Sequence, residues 1–464
     1  MELRRVLRLR DLVAMNLVAV VSLRWITRAA RLGPPSIVLW LLAWAAFFVP
    51  LGLAVSALAS RFPEQGGIYA WTRRAFGRRH GFLCGWCLWI NNLFYFPSLL
   101  LFAASNAAVA MNGPAAGGHE TRTYSVVFVL VVLWLSTAIN VIGLQVSKWV
   151  QNLGGIGTWL PAAVLVSFGA LVFARFGSAT SFAPHALLPA SGGWDTLVAW
   201  SGICFAFSGF EVTAMVGQEV CQPRRTIPLG IFLGGIGATV IYIAGTASVL
   251  GAIPPSMLSE RSGIADAIEL VAGRIGVEGL GALIAAFVAV GVIAQTNSWV
   301  AASARVPFAA AMDDTLPRFF ARLHARYRTP HVALLLQAAL SSLALVASLF
   351  FQIGGSQTTL QDGYDILVNL TILAYFVPYL YLFGALLKLR EPATDREQAE
   401  VRIPGGRSGL WLVACTGLLS TGISIAVLFV PPAGTGSALN YEVNLIGQTA
   451  VLLAIGLLLM RRRK

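Results

Sequence analysis

Charge is what this 464-residue sequence has least of. Asp, Glu, Lys and Arg together make up 11% of it, where a soluble domain carries about 25%. A soluble globular protein is thereby excluded, and the 57% share of hydrophobic residues describes an all-α, polytopic integral membrane protein. Cysteine is scarce too: Cys84, Cys87, Cys204, Cys221 and Cys415 are scattered along the chain. Cys84-Gly-Trp-Cys87 has the spacing of a redox or zinc pair, but it stands at the start of an apolar span with no second pair and no nearby histidine cluster. It reads as packing. The spans also hold no HExxH, no Ser/His dyad and no His-rich cluster. An enzyme therefore has no support, and neither a metal site nor a cofactor is expected.

Apolar runs of about 20 residues are membrane-span candidates, and twelve can be drawn. They are centred within residues 12–32, 37–60, 81–111, 125–143, 149–174, 196–220, 228–251, 278–312, 331–351, 365–389, 409–430 and 442–460. The formal charge of +13 is compatible with a nucleic-acid partner only if it is clustered on one exposed face. Instead, most of the basic residues fall in alternate connections and at both ends, leaving Arg28, Arg31, Arg122, Arg175, Arg261 and Arg274 on the opposite side. That asymmetry predicts cytoplasmic N and C termini and no nucleic-acid partner. Arg4, Arg5, Arg8 and Arg10 ahead of an apolar run imitate a secretory signal, but the run leads to Arg24-Trp25 rather than a small-residue cleavage site. A retained first span is the better reading.

Polar residues inside spans are costly and mark candidate sites. Within span 6, Cys204-Phe-Ala-Phe-Ser-Gly-Phe-Glu211 places a carboxylate beside Ser-Gly at membrane depth. Such a residue is tolerated if the helix breaks there, leaving carbonyls free near Ser208 that can bind an ammonium and amides free near Glu211 that can bind a carboxylate. Glu211 is then either a proton-carrying acid or an acid offsetting the dipole of the second half-helix. In span 1, Arg24 lies roughly 20 Å beyond Asp11. Either it snorkels toward Arg28 and Arg31, or Ser22-Leu23-Arg24 is a second break whose guanidinium meets a carboxylate of substrate or Glu211. Asn91, Asn92 and Tyr95 in span 3, Gln295, Asn297 and Ser298 in span 8, and Tyr375 in span 10 are cavity-lining candidates, with helix-to-helix hydrogen bonding the commoner role for such groups in span 3 and at least as good a reading of the others. Asp362 and Asp365 read as helix-start acids. The segment with Glu260, Asp266 and Glu269 is long enough for a lid helix.

Phe207-Ser-Gly-Phe-Glu211 and, after it, Gln218-Glu-Val-Cys-Gln-Pro-Arg-Arg-Thr-Ile-Pro228 resemble span 6 and the next loop of the amino acid-polyamine-organocation transporters. Phe62-Pro-Glu-Gln-Gly-Gly-Ile-Tyr-Ala-Trp71 is similar to their first inner loop. Asn297 to Arg305 and Met312 to Pro317 are similar to their eighth span and the loop after it. Ser22-Leu-Arg24 and Gly157-Thr-Trp-Leu-Pro-Ala162 most resemble the glutamate/GABA antiporter-like branch. The resemblance implies a LeuT-type fold of twelve transmembrane helices. Residues 1–175 and 194–390 would be inverted repeats of five spans, residues 409–464 two appended helices, and spans 1 and 6 would be broken. It further implies that Val21, Ser22, Leu23 and Arg24 meet a substrate carboxylate, that Phe207, Ser208 and Gly209 meet its ammonium, and that Phe210 gates the site. Two departures stand out. Span 1 lacks the glycines usual at its break, which points to Arg24 as their substitute, and Thr158 occupies the place of a lysine found in many members.

The expected function is secondary transport of an amino acid or related amine across the cytoplasmic (inner) membrane by alternating access, with exchange or protons as the driving force. The alternatives are a polyamine or amine transporter, or an amino acid sensor that has kept the fold and lost flux, a reading prompted by the missing glycines. The expected partners are the substrate, protons and the lipid bilayer. The oligomeric state is left open.

Overall fold

In hydrocarbon every backbone amide and carbonyl must be satisfied within the protein, and for a single apolar run the helix does this. The computed structural model describes residues 8–62, 66–112, 121–142, 144–188, 194–211, 220–259, 261–274, 276–277, 279–304, 307, 318–351, 359–390, 401, 403–431 and 437–461. Its elements are helical. In chain order they are α1 (Leu9–Val20), α2 (Arg24–Ala30), α3 (Pro35–Ala43), α4 (Val49–Arg61), α5 (Ile68–Phe76), α6 (Arg78–Asn112), α7 (Arg122–Ile142), α8 (Leu144–Arg175) and α9 (Trp194–Ala206). Then come α10 (Pro223–Ala252), α11 (Gly263–Arg274), α12 (Leu280–Ser303), α13 (His331–Phe350), α14 (Leu360–Lys388), α15 (Gly406–Val427) and α16 (Ala438–Arg461).

Ten helices among the described residues are long and apolar enough to cross a membrane, and they coincide with expected spans 2–5 and 7–12. Expected spans 1 and 6 are absent from that set because each is interrupted. The first divides into α1 and α2, with Val21 extended between them (ψ 113°), and the sixth stops as helix at Ala206. The stretch after Glu211, including Gln218 and Glu219, lies outside the described residues, as do Arg305 and the Met312–Pro317 motif. Of expected span 8, Leu280–Ser303 is helical, and most of residues 305–312 lie outside the described residues.

Burial decides which helices are central. The apolar windows of Arg78–Met111 and Leu360–Lys388 are 83% buried, against 17% for Ala438–Leu459. A helix that is apolar and covered all round belongs to the middle, so α6 and α14 form the core and α16 lies at the margin. α6 packs against α12 and α14, while α1 packs against α10 and α8 against α12. Two of these approaches depend on glycine. A Cβ on Gly157 of α8 would lie 2.5 Å from the Gly291 amide nitrogen of α12, so the two backbones touch at this crossing. On α10, Cβ atoms at Gly230 and Gly234 would each come within 2.9 Å of α1, at Leu12 and Asn16. Between α3 and α4 a π-helical turn, Trp44–Phe48, rotates the helix face and presents Phe47 and Phe48 to the rings of Phe376, Tyr379, Phe207 and Phe210.

Several side expectations resolve here. Part of the Phe62–Trp71 motif enters a short helix, α5, with Arg73 and Arg74 in its last turn. The segment expected to be long enough for a lid helix contains a helix, α11, although Glu260 lies outside the described residues. Glu269 accepts hydrogen bonds from the amides of Gly279 and Gly281, so it caps the start of α12. Asp362 forms a capping box with Thr359, but Asp365 does more than begin a helix: its Oδ1 pairs with Arg28 Nη1 at 3.4 Å. Cys84 and Cys87 are both buried and unbridged.

Candidate functional site

The two interruptions face each other. At the first, the Val21 amide still donates to the Leu17 carbonyl, after which helical bonding lapses until Trp25 donates to the Ser22 carbonyl at 3.1 Å. At the second, Phe207 and Ser208 close a tight turn onto the carbonyls of Cys204 and Phe205. Gly209 then takes φ +104°, a value that demands glycine, and a Cβ there would point at Val20 across the gap.

Tyr242 of α10 holds the pair together. Its hydroxyl accepts the Ser22 amide at 3.3 Å and lies 2.9 Å from the Val20 carbonyl and 3.1 Å from the Ala206 carbonyl. One phenol thus satisfies backbone groups that both breaks leave open. The ring stacks on Trp40 at 4.4 Å and meets the edge of Phe207. Nothing in the sequence singled out Tyr242, because a tyrosine in an apolar helix reads equally well as packing.

Glu211 is completely buried. Its Oε1 accepts from the Tyr375 hydroxyl, while its Oε2 accepts from Tyr379 at 3.0 Å and from the Gly209 amide at 3.2 Å. Tyr375 and Tyr379 are one turn apart on α14, so a single helix face supplies both phenols. The carboxylate therefore braces the second break from within and ties it to α14. The alternative pairing with Arg24 is not made.

Arg24 does not snorkel; only 1% of it is exposed. Nη1 donates to Ser98 Oγ at 3.0 Å, and the guanidinium carbon lies 4.5 Å from the Trp25 ring centroid and 5.1 Å from that of Tyr95. Its Nε and Nη2 are buried without a hydrogen-bond partner, as is the Ser22 hydroxyl. A buried cation with unused donors is expensive unless something anionic meets it.

A small cavity of about 30 Å³ lies between these parts, lined by Val20, Trp25, Asn91, Asn92, Tyr95, Phe205, Ser208, Gly209, Trp299 and Tyr375. Six of the expected site residues are among them. Asn91 and Asn92 both use their Nδ2 on the Leu88 carbonyl. Val21, Ser22, Leu23, Arg24 and Glu211 are not among the lining residues, but Arg24 lies against Trp25 and Tyr95, and Glu211 is bonded to Gly209 and Tyr375. Phe207 instead packs into the Trp40, Phe48 and Tyr242 cluster, and Phe210 lies 4.9 Å from Phe48. The aromatic facing the cavity from this segment is Phe205, against Trp25 at 5.3 Å and Tyr375 at 5.5 Å.

The remaining candidates lie elsewhere. Asn297 is bonded to Asn140 of α7 through both its carbonyl and its side-chain oxygen, and Ser298 returns its hydroxyl to Ala294. Thr158 sits at the Gly157–Gly291 crossing, and Gln295 is half-buried away from the lining. Sequence reasoning missed Val20, Trp25, Phe205 and Trp299, which are apolar residues in apolar runs. Among the described residues no group of three His, Cys, Asp or Glu is placed to hold a metal.

Residues 7–455 match the amino acid permease family. The chain is 28% identical over 432 residues to an uncharacterized transporter of Legionella pneumophila, covering 93% of this chain and 90% of that one. It is 24% identical to a probable agmatine/putrescine antiporter of Lactococcus lactis, covering 94% and 90%. It is 26% identical to a glutamate/gamma-aminobutyrate antiporter of the same species, covering 85% and 77%. Among solved structures, MhsT in complex with L-phenylalanine superposes with a TM-score of 0.62 at 16% identity, covering 93% of this chain and all of that one. That likeness establishes a shared fold of the LeuT type.

Proposed function

Because the chain belongs to the amino acid permease family, a family of transporters and not of enzymes, we propose that it moves a carboxylate-bearing amino acid across the cytoplasmic membrane by alternating access, in exchange or with protons. The observation that carries the carboxylate is Arg24, whose Nε and Nη2 are buried and unpaired behind the Trp25 and Tyr95 walls of the cavity. A guanidinium with free donors is matched to a carboxylate. Where relatives present glycine amides at the first break, this chain would present Arg24 together with Val21, Ser22 and Leu23. The ammonium end would meet Phe207, Ser208 and Gly209 at the second break, with Phe210 gating from behind. Twelve spans, counted as inverted repeats over residues 1–175 and 194–390 plus helices in 409–464, with cytoplasmic termini, complete the proposal.

Glu211 supplies a route for coupling. Its carboxylate accepts from two phenols, so taking up a proton obliges one phenol to turn from donor to acceptor. Tyr375 is the phenol that also lines the cavity. A proton taken up on Oε1, the oxygen that faces Tyr375, would free the Tyr375 hydroxyl hydrogen to face the substrate.

A second reading, transport of an amine lacking the carboxylate, is favoured by the five aromatic rings around the cavity, from Trp25, Tyr95, Phe205, Trp299 and Tyr375. These faces attract cations, and one relative is named for agmatine and putrescine. The two readings separate in a thermal-shift series, since a bound ligand raises apparent stability. An amino acid that stabilises the protein far more than its decarboxylated amine supports the first reading, and the reverse order supports the second.

A further inference from the structure

A second and much larger cavity lies away from the breaks. It measures about 590 Å³ and opens where the end of α4, the end of α14 and the start of α15 meet. Arg61, Arg390 and Arg407 line it, together with Leu58, Leu386 and Leu410. None of the three arginines takes part in an ion pair among the described residues. Arg61 is anchored by donating to the Leu389 carbonyl and lies 5.0 Å from the Phe62 ring, while Arg390 and Arg407 are exposed.

We infer that this cavity binds the phosphodiester headgroup of an anionic phospholipid. Three guanidinium groups around one space repel one another unless an anion lies among them, and the planar guanidinium fork fits phosphate oxygens. A cationic amine does not suit this space, because its ammonium would face three guanidinium groups and, among the described lining residues, no carboxylate. The volume falls within the range of ligand pockets, about 300–1,000 Å³. Position selects a lipid over a soluble phosphate. The arginines sit at the ends of three apolar spans, where headgroups lie and where basic pockets between helices take acidic lipids, and the leucines offer a wall for the glycerol and the first acyl carbons. The inference needs only the membrane location, not the identity of the transported substrate.

The test uses the purified full-length protein in a neutral detergent at low salt, titrated with phosphatidylglycerol, with phosphatidylcholine of the same chains, or with glycerol 3-phosphate. Arg390→Gln/Arg407→Gln is the variant of choice, since Arg61 also holds backbone. Phosphatidylglycerol should raise the Tm of the wild type saturably, and phosphatidylcholine and glycerol 3-phosphate should not. The variant should need about a hundredfold more phosphatidylglycerol, about tenfold for each charge-assisted hydrogen bond removed. Equal responses of wild type and variant would overturn the assignment. So would a lipid-free variant of lowered Tm with no response of the wild type to phosphatidylglycerol, which would place the chain's own acidic Glu391–Glu400 stretch on the arginines. Stabilisation by glycerol 3-phosphate alone would reject the lipid and leave a soluble phosphate site. No substrate enters the measurement, so its failure would leave the transport reading standing.

Discussion

Arg24 is the residue on which substrate class turns. It was visible in the sequence because a charge in an apolar run stands out, but whether it snorkelled or faced a site depended on its distant neighbours Tyr95 and Ser98. Arg24→Ala is predicted to weaken binding of carboxylate ligands at least about tenfold while leaving decarboxylated amines much less affected, as measured by thermal shift or competition; equal loss for both would reject a direct contact. Glu211 was legible for the same reason, whereas its phenolic partners, 164 and 168 positions away, were not. Glu211→Gln keeps the shape and removes the titrating group, so transport should lose its pH dependence, and an unchanged pH profile would exclude Glu211 as the proton site. Asp266, in α11 outside the spans, offers a stability test. Burial raises its carboxyl to about 6, partly offset by the hydrogen bond from Ser262. A raised folded-state value means that the native protein binds the proton more tightly than the unfolded chain. The associated stability is therefore complete at pH below about 4, falls as pH rises toward 6, and is absent above it. Asp266→Asn should flatten that slope and raise Tm at neutral pH; a steeper slope or a lower Tm would contradict the assignment.

The elements that matter are the two interrupted helices and the helices that clamp them. Span positions were legible to within a few residues because length and apolarity alone set them. The breaks were legible less directly, the second through Ser208-Gly209 and the first only through the oddity at Arg24. What composition could not reveal was the tie between them, since Tyr242 on α10 is one phenol among many aromatic residues. Tyr242→Phe leaves the ring on Trp40 but removes the hydroxyl shared by Ser22, Val20 and Ala206. The expectation is a loss of about 1–3 kcal/mol for buried groups left unsatisfied, together with weaker substrate binding, read from denaturation and thermal-shift titrations on the same preparation. A variant as stable and as tight-binding as wild type would mean that water replaces the hydroxyl. Asp365 was underestimated for a related reason: a helix-start acid and an ion-pair partner look alike until Arg28 is brought beside it.

At the scale of the molecule, α6 and α14 form the buried frame, α1 lies in a glycine groove on α10, and Arg28 joins α2 to Asp365 and Asn369 of α14. The site thus lies where the two interrupted helices meet this buried frame. The sequence placed these parts in order along the chain. The aromatic box was hidden, because Trp25, Phe205 and Trp299 differ from their neighbours only in where they point. Asp365→Asn is expected to lower Tm by removing the carboxylate of a mostly buried pair, and an unchanged Tm would show the pair to be dispensable for the resting state. The central claim is that an amino acid passes through the gap between the two breaks with its carboxylate on Arg24. Counterflow tests it most directly: proteoliposomes of the wild type and of Arg24→Ala, preloaded with an unlabelled amino acid, are offered the same compound radiolabelled outside. Saturable, transient accumulation by the wild type that falls at least about tenfold in the variant is predicted, and ligand binding without saturable uptake or exchange by the wild type would contradict it.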